Sequence, residues 1–67
     1  MAIEVIRLPA VLQRIKLSRT SVYRLESENR FPKRINLGAG HAVGWYAHEI
    51  DDWLATRPRV NNALDKR

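Results

Sequence analysis

Polar side chains of the types that hydrogen-bond to nucleic acids recur at helical spacing just after Ser18. Arginine can lie bidentate on guanine, and hydroxyl groups bond to base edges and phosphates alike. Ser18 is a good N-cap, and the free N–H groups of the helix it would start can hold a phosphate near Lys16. The predicted polar face consists of Arg19, Thr20, Tyr23, Arg24 and Ser27. The alternative is an amphipathic helix whose outer face is only hydrated.

A second polar group surrounds a glycine-rich break in the chain. Apolar and polar residues alternate before Gly38, and residues 43–46 have the character of a second strand, which predicts a β-hairpin whose residues 33–44 are called the wing. Its candidate contact residues are Lys33, Arg34, Asn36 and His41. A basic hairpin can lie along a DNA backbone or reach into the minor groove, where groove width matters more than base identity. The alternative is a hairpin that only covers the core, and both can hold, since Ile35, Val43 and Trp45 could pack inward.

Two short helices must position the polar face. Pro9 suits the first turn of a helix over residues 8–15, and an apolar stripe gives a buried side to a helix over residues 19–28. Asn29 tolerates the left-handed conformation that often ends a helix. Only three residues separate the two helices, and the apolar one, Leu17, would plug the core. This arrangement is the helix-turn-helix pattern.

The hairpin leads into a third helix, predicted over residues 47–56 and stopped by Pro58. Residues 3–6 suggest a short extended lead-in. The expected fold class is α+β, a small winged helix-turn-helix of three short helices and a two-stranded β-hairpin wing. We expect the DNA-binding domain to span residues 1–57 and residues 58–67 to form a loose polar tail.

The chain has 67 residues, no cysteine and a formal net charge of +5, which is unevenly distributed. Residues 7–46 hold eight basic side chains against two acids, whereas residues 47–56 hold three acids and no Lys or Arg. A basic side attracts a polyanion, because each neutralised phosphate releases counterions. The alternative is a basic surface that only aids solubility. A chain this small buries only about 60% of its unfolded surface, so Trp45 and Trp53 should pack in the core or at its margin.

The residues give little indication of dinucleotide binding, metal binding, catalysis or membrane insertion. The glycines lack the spacing of a dinucleotide fingerprint, and His41 and His48 have no third metal ligand. A domain this small has no cleft for a catalytic triad, so we expect no enzymatic activity, no cofactor and no metal. The apolar runs are far shorter than the roughly 20 residues of a bilayer span, so we expect no membrane partner. The absence of cysteine fits a reducing cytoplasm.

Two stretches carry a family resemblance, LSRTSVYRLESENRFPKRINLG and, after it, AVGWYAHEIDDWL. They resemble the AlpA-type prophage regulatory proteins, which are related to phage excisionases and to the winged-helix group that includes MerR. The resemblance covers residues 6–56. It implies a bacterial or phage-encoded protein that binds DNA through the helix at 19–28 and the wing. It also implies transcriptional control of mobile-element genes or architectural help in excisive recombination.

The chain departs from the family's pattern at two places. Asn29 stands where the family often has glycine, a replacement that keeps the left-handed stop. The wing tip is one residue longer than usual, and His41 stands near a common arginine. A neutral histidine bonds to phosphate more weakly than arginine does, and its contribution grows as it takes up a proton.

Two classes of function stay open. The first is a sequence-specific regulator or excisionase that binds double-stranded DNA. The second is a protein-interaction module that docks through the third helix, with a basic side that is only solubilising. RNA binding ranks third, since no pattern of exposed aromatic residues marks a single-strand platform. On the first reading the partners are double-stranded DNA, an integrase and further copies of the chain on DNA. Because there is no heptad segment, we expect a monomer in solution.

Overall fold

The computed structural model describes residues 2–60, which form three helices and three strands. In chain order these are β1 (Val5–Ile6), α1 (Leu8–Ile15), α2 (Arg19–Ser27), β2 (Ile35–Asn36), β3 (Val43–Tyr46) and α3 (Ala47–Ala55). The predicted α+β class is confirmed, and the architecture is consistent with a winged helix-turn-helix. The ends of α2 and α3 each fall one residue before the predicted end. Of the tail expected to be loose, residues 61–67 lie outside the described residues.

The three strands form one antiparallel sheet in the order β1-β3-β2. The strands β2 and β3 are the predicted hairpin, and the extended lead-in adds β1 to it, so the sheet has one strand more than the expected wing. The register pairs Ile6 with Trp45, and both side chains are buried. A two-stranded hairpin alone is only marginally stable, so pairing of β1 both widens the sheet and buries Ile6.

The sheet has a buried face and an outer face, and β3 contributes to both. Trp45 points into the core, whereas its neighbour Gly44 lies on the outer face, opposite Ile35 in the register. A Cβ at Gly44 would come within 2.7 Å of Val5 Cγ1 and 3.0 Å of Ile6 O, so the close approach of β1 requires glycine. Directly paired residues share a face of the sheet. The expectation that Ile35 packs inward with Trp45 is therefore wrong.

The helices and the buried face of the sheet enclose one hydrophobic core. Its buried members are Ile6, Val11, Ile15, Val22, Phe31, Trp45, Ala47 and Ile50. The Nε1 of the fully buried Trp45 donates to Pro32 O at 3.0 Å. The half-buried Trp53 packs edge-on against Phe31, with ring centroids 4.8 Å apart, and its Nε1 donates to Arg30 O at 2.8 Å. Both tryptophans thus lie in the core or at its margin, as predicted, and they hold the segment between α2 and the hairpin.

The turn between α1 and α2 spans residues 16–18. Lys16 takes the left-handed conformation, with a φ of 62°, and its N–H donates to Leu12 O at 2.8 Å. Leu17 is 39% exposed, so the prediction that it plugs the core is wrong. The left-handed residue redirects the chain, and the side chain that follows it turns toward solvent. The core at this end is closed instead by Ile15, the last residue of α1.

Candidate nucleic-acid interface

Ser18 starts α2, as predicted from its type and position. Its Oγ accepts a hydrogen bond from the Ser21 N–H at 3.1 Å and donates one to Ser21 Oγ at 3.0 Å. The N–H groups of Arg19 and Thr20 precede the first intrahelical bonds, so the helix start presents them to an anion. The Ser18 hydroxyl is already bonded within the helix. It therefore contributes to anion binding mainly by keeping the first turn of α2 in place, with the N–H groups of Arg19 and Thr20 exposed.

The five residues of the polar face are all exposed on α2, and Val22 behind them is fully buried. This placement confirms the amphipathic helix that the spacing predicts. Ser27 differs from the other four because its Oγ donates to Arg24 O at 2.8 Å, which leaves it only acceptor capacity toward a ligand. Arg19 and Arg24 have no acidic partner among residues 2–60. Their guanidinium groups are therefore available to bind a ligand.

The end of α2 is closed by Asn29, which takes a left-handed φ of 60°, as the sequence predicts. The Asn29 N–H donates to Glu26 O at 3.1 Å, and the Arg30 N–H donates to Leu25 O at 2.8 Å. These two bonds form a Schellman motif, which satisfies carbonyl groups that a helix end otherwise leaves unpaired. The chain therefore leaves α2 at a defined angle on its way to the wing.

Glu26 is a candidate residue that the sequence reasoning misses. It is 7% exposed and is the one buried charged side chain among residues 2–60. Its Oε2 accepts a hydrogen bond from the Arg34 N–H at 3.0 Å, and its Oε1 lies 3.5 Å from Arg34 Nε. The signal that could have found it is spacing, because Glu26 follows Val22 by four residues and so shares the inward side of α2.

Arg34 connects the wing to α2. Its guanidinium carbon lies 5.5 Å from the centroid of the Tyr23 ring, a cation–π contact, while its Nε faces Glu26. A surface cleft lies at this contact, and we call it the junction cleft. It is lined by Tyr23, Glu26, Ser27, Lys33 and Arg34. The fold thus brings two residues of the polar face together with the two basic residues that begin the wing.

The tip of the wing lies apart from the junction cleft. Asn36 Oδ1 accepts a hydrogen bond from the Gly38 N–H at 2.6 Å, so its amide N–H groups are what it can offer a ligand. Gly38 and Gly40 take positive φ values of 84° and 61°, which a β-carbon would disfavour. His41 follows them, is exposed and does not line the junction cleft. The base of the wing is therefore tied to α2, whereas its tip depends on the turn alone.

Three ion pairs are present among residues 2–60, and they divide the basic side chains into two groups. Arg14 Nη1 contacts both carboxylate oxygens of Asp51, at 3.0 and 3.2 Å, and joins α1 to α3. The other two pairs engage Arg30 and Arg34. Within residues 7–46 the basic side chains outside these pairs are Arg7, Lys16, Arg19, Arg24 and Lys33. Four of these five are predicted contact residues, so most of the unpaired positive charge of residues 7–46 falls on the candidate interface.

Residues 2–60 hold no group of three His, Asp or Glu side chains placed to bind a metal ion. None of the helices in this part is both long and apolar enough to cross a membrane.

Comparison with known proteins identifies a family and two relatives. The family described as "Prophage CP4-57 regulatory protein (AlpA)" matches residues 4–58. The DNA-binding transcriptional activator AlpA of Escherichia coli is 37% identical over 65 residues, covering 88% of this chain and 91% of that protein. An uncharacterized protein of Enterobacteria phage P4, ORF88, is 36% identical over 52 residues, covering 78% of this chain and 58% of that protein. No solved structure gives a significant match. The family match and the identity to AlpA together show that the chain belongs to the AlpA family of prophage regulatory proteins, as the resemblance implied.

Proposed function

We propose that the protein is a sequence-specific regulator that binds double-stranded DNA, with α2 in the major groove and the wing on the adjacent minor groove or backbone. The observation that carries the proposal is that the exposed polar face of α2 coincides with basic side chains that have no acidic partner among residues 2–60. The E. coli relative is named a DNA-binding transcriptional activator, which supports the same class of function. A regulatory family also fits the expectation of no enzymatic activity.

The role assigned to α2 is to read base edges. An α-helix with its side chains is about 10–12 Å wide and fits a major groove about 12 Å wide. The proposed base readers are Arg19, Thr20, Tyr23 and Arg24. Lys16 and the helix start at Ser18 then bind a backbone phosphate, which sets the orientation of α2 without reading sequence. Ser27 lies at the far end of the polar face and acts as an acceptor.

The role assigned to the wing is to bind DNA with little dependence on base identity. Lys33 and Arg34 at its base face the sugar–phosphate backbone, and Asn36 and His41 approach the minor groove or its rim. Basic and amide side chains sense the width and potential of that groove more than its sequence. The wing therefore adds affinity to a complex whose specificity comes from α2.

Footprinting on DNA that flanks the protein's own gene tests this proposal. We expect protection of a discrete site, followed in gel-shift titrations by a preference for that site over random duplex of at least roughly a thousandfold. Affinity for both duplexes should fall steeply as salt concentration rises, because phosphate contacts release counterions. An absence of binding to either duplex at low salt contradicts the proposal.

Excisive recombination is a finer form of the same proposal, because a regulator and an excisionase need the same DNA-binding module. Direct repeats that several copies bend beside an attachment site indicate an excisionase whose partner is an integrase. A single promoter site indicates transcriptional control. A circular-permutation gel shift and an excision assay distinguish the two. In both cases we propose a monomer in solution that assembles side by side on DNA, in the cytoplasm of a bacterial host.

A protein-interaction module is the second candidate, and a groove beside α3 favours it. The groove has the apolar side chains of Phe31, Tyr46 and Trp53, and its charged lining consists of the acidic Glu49 and Asp52 and the basic Lys33 and Arg34. Such a lining suits a peptide with an apolar anchor, and its basic side chains would face Glu49 and Asp52 on α3. Capture of a basic peptide partner by a protein that binds no duplex at low salt would favour this candidate. Loss of that capture in a charge-reversed variant, Asp52→Lys, would assign it to the groove.

A further inference from the structure

Base reading does not explain why Glu26 is buried, because Glu26 lies on the inward side of α2, away from the polar face. A carboxylate that is 7% exposed loses most of its hydration, and only good hydrogen bonds balance that loss. A well-packed apolar side chain at such a site often stabilises the fold as much as a buried ion pair does, or more. Both Glu26 oxygens face the same residue, Arg34, one bonded to its N–H at 3.0 Å and one lying 3.5 Å from its Nε.

We propose that Glu26 is a positioning residue that holds Arg34 so that the junction cleft is preformed to bind one phosphate of the DNA backbone. This inference rests on the proposed function. The bond to the Arg34 N–H holds the main chain one residue before β2 begins. The contact with Nε turns the guanidinium over the ring of Tyr23, on α2. One carboxylate therefore sets both the position of the wing relative to α2 and the orientation of a wing cation.

The charge distribution in the junction cleft suits an anion. Lys33 and Arg34 are its two cations, and the Arg34 side chain keeps 46% of its surface exposed, so its outer nitrogens remain open to a ligand. The one carboxylate that lines the cleft belongs to Glu26 and is turned inward. An arginine that is already oriented loses less conformational freedom when it binds, which increases affinity.

The position of the junction cleft between α2 and the wing identifies the anion as a backbone phosphate. In a duplex the sugar–phosphate backbone separates the major groove from the minor groove. A protein with a helix in one groove and a hairpin on the next must straddle that backbone. The residues between helix and hairpin then face a phosphate rather than a base edge. In this chain those residues are Lys33 and Arg34.

Methylphosphonate substitution of the footprinted duplex tests the phosphate assignment, because it neutralises one phosphate at a time. We expect one position at the groove boundary where neutralisation weakens binding of the unmodified protein roughly tenfold. In Arg34→Ala that loss should disappear while the losses at other phosphates persist. The same pattern of losses in both proteins overturns the phosphate assignment.

Glu26→Gln and Glu28→Gln are a matched pair that tests the positioning role. Each removes one negative charge from the same end of α2, and general electrostatics predicts that both strengthen binding to DNA. Glu28 is exposed, so Glu28→Gln should bind at least as tightly as the unmodified protein and keep the loss at the cleft phosphate. Glu26→Gln should bind roughly fivefold more weakly and lose most of that phosphate effect. Tighter binding by both variants, with the phosphate effect intact, overturns the positioning role.

Circular dichroism and the thermal midpoint of unfolding show whether each variant is folded. If Glu26→Gln does not fold, Arg34→Lys tests the same contact without changing the buried carboxylate, because lysine keeps the charge and lacks the planar fork. It should lose most of the phosphate effect, and full retention overturns the proposal. If the protein binds no duplex, both the proposed function and this inference are wrong. If the protein binds a discrete site but no phosphate neutralisation has an effect that depends on Arg34, only this inference is wrong.

Discussion

At the scale of the residue, the members of the polar face differ in what they are free to do. Arg19 and Arg24 are exposed and have no acidic partner among residues 2–60. Ser27 already donates to a main-chain carbonyl of α2. Tyr23 is 40% exposed and lies beneath the guanidinium of Arg34. Base discrimination should therefore be concentrated in the two arginines, while Tyr23 contacts the wing through Arg34.

Replacement of Arg24 tests base reading. Arg24→Ala should cost about 1–3 kcal/mol of binding free energy at the specific site and relax the preference at one base pair. Competition against duplexes that carry single base-pair changes measures both effects. Gln13→Ala, at an exposed position of α1, is the control and should change neither. Equal losses on specific and random duplex would exclude a base-reading role for Arg24.

Replacement of Lys33 tests backbone binding. Lys33→Ala should weaken binding to every duplex to a similar extent, because a phosphate contact carries no sequence information. The slope of log K against log salt should become shallower by about 0.9, the value for one lost phosphate contact. Titrations at four or five salt concentrations measure that slope. A slope equal to that of the unmodified protein would mean that Lys33 does not contact phosphate.

Replacement of His41 tests whether the wing tip contacts DNA. His41→Arg puts a permanent charge at the exposed tip and should tighten binding to all duplexes, with a salt slope steeper by about 0.9. His48→Arg is the matched control, because His48 is also exposed but lies on α3. Identical slopes for His41→Arg and His48→Arg would show that the tip makes no contact of its own.

At the scale of the element, α2 is closed at both ends by short-range hydrogen bonds. Ser18 caps its start, and the Schellman motif at Asn29 closes its end. The helix has only nine residues and would be marginal alone, so the packing of its buried Val22 and these end bonds together keep its polar face ordered. The wing, in contrast, is held at its base by Glu26 and by the bond from Trp45 to Pro32 O, and at its tip by its own turn.

Removal of the cap tests this account of α2. Ser18→Ala should lower the free energy of unfolding by about 1 kcal/mol, whereas Ser18→Gly should lower it by only a few tenths, because glycine is tolerated at an N-cap. Urea denaturation followed by circular dichroism measures both. An unchanged free energy of unfolding in Ser18→Ala would contradict a stabilising cap at Ser18.

At the scale of the whole molecule, the unpaired positive charges and the acidic side chains lie in different places, and ion pairs neutralise some of the remaining basic side chains. The Arg14–Asp51 pair joins α1 to α3 and neutralises a basic side chain of the first half of the chain. The exposed acids Asp51 and Asp52 lie on α3, and the cations without partners in residues 7–46 lie mainly around α2 and the wing base. The molecule therefore presents a positive side to DNA.

This separation predicts the salt dependence of binding. The proposed phosphate contacts of Lys16, Lys33 and Arg34 together should give a slope of log K against log salt of about −2.7, from roughly 0.9 per phosphate contact. A gel-shift series on the footprinted site measures it. Asp52→Asn removes a charge from α3 and should leave the slope unchanged. A slope near zero would contradict binding through this side of the molecule.

The sequence by itself determined the parts of this protein that depend on neighbours within about four or five positions. The apolar spacing, the cap at Ser18 and the stop at Asn29 predict α2 and its polar face, and the structure confirms each of them. Helix periodicity and capping act through bonds between residues close in sequence, so the printed chain contains the information needed.

Only the tertiary structure decided which side chains meet across elements. Glu26 has the inward position of a core residue, but its burial depends on Arg34, eight residues further on and beyond a loop. Leu17 turns outward because Lys16 is left-handed, and Ile35 lies on the outer face because of its register with β3. Burial of a charge and the choice of a sheet face are set by partners that come together only when the chain folds. Local pattern therefore predicts the helix that would read DNA, and only packing reveals the buried carboxylate that holds the wing beside it.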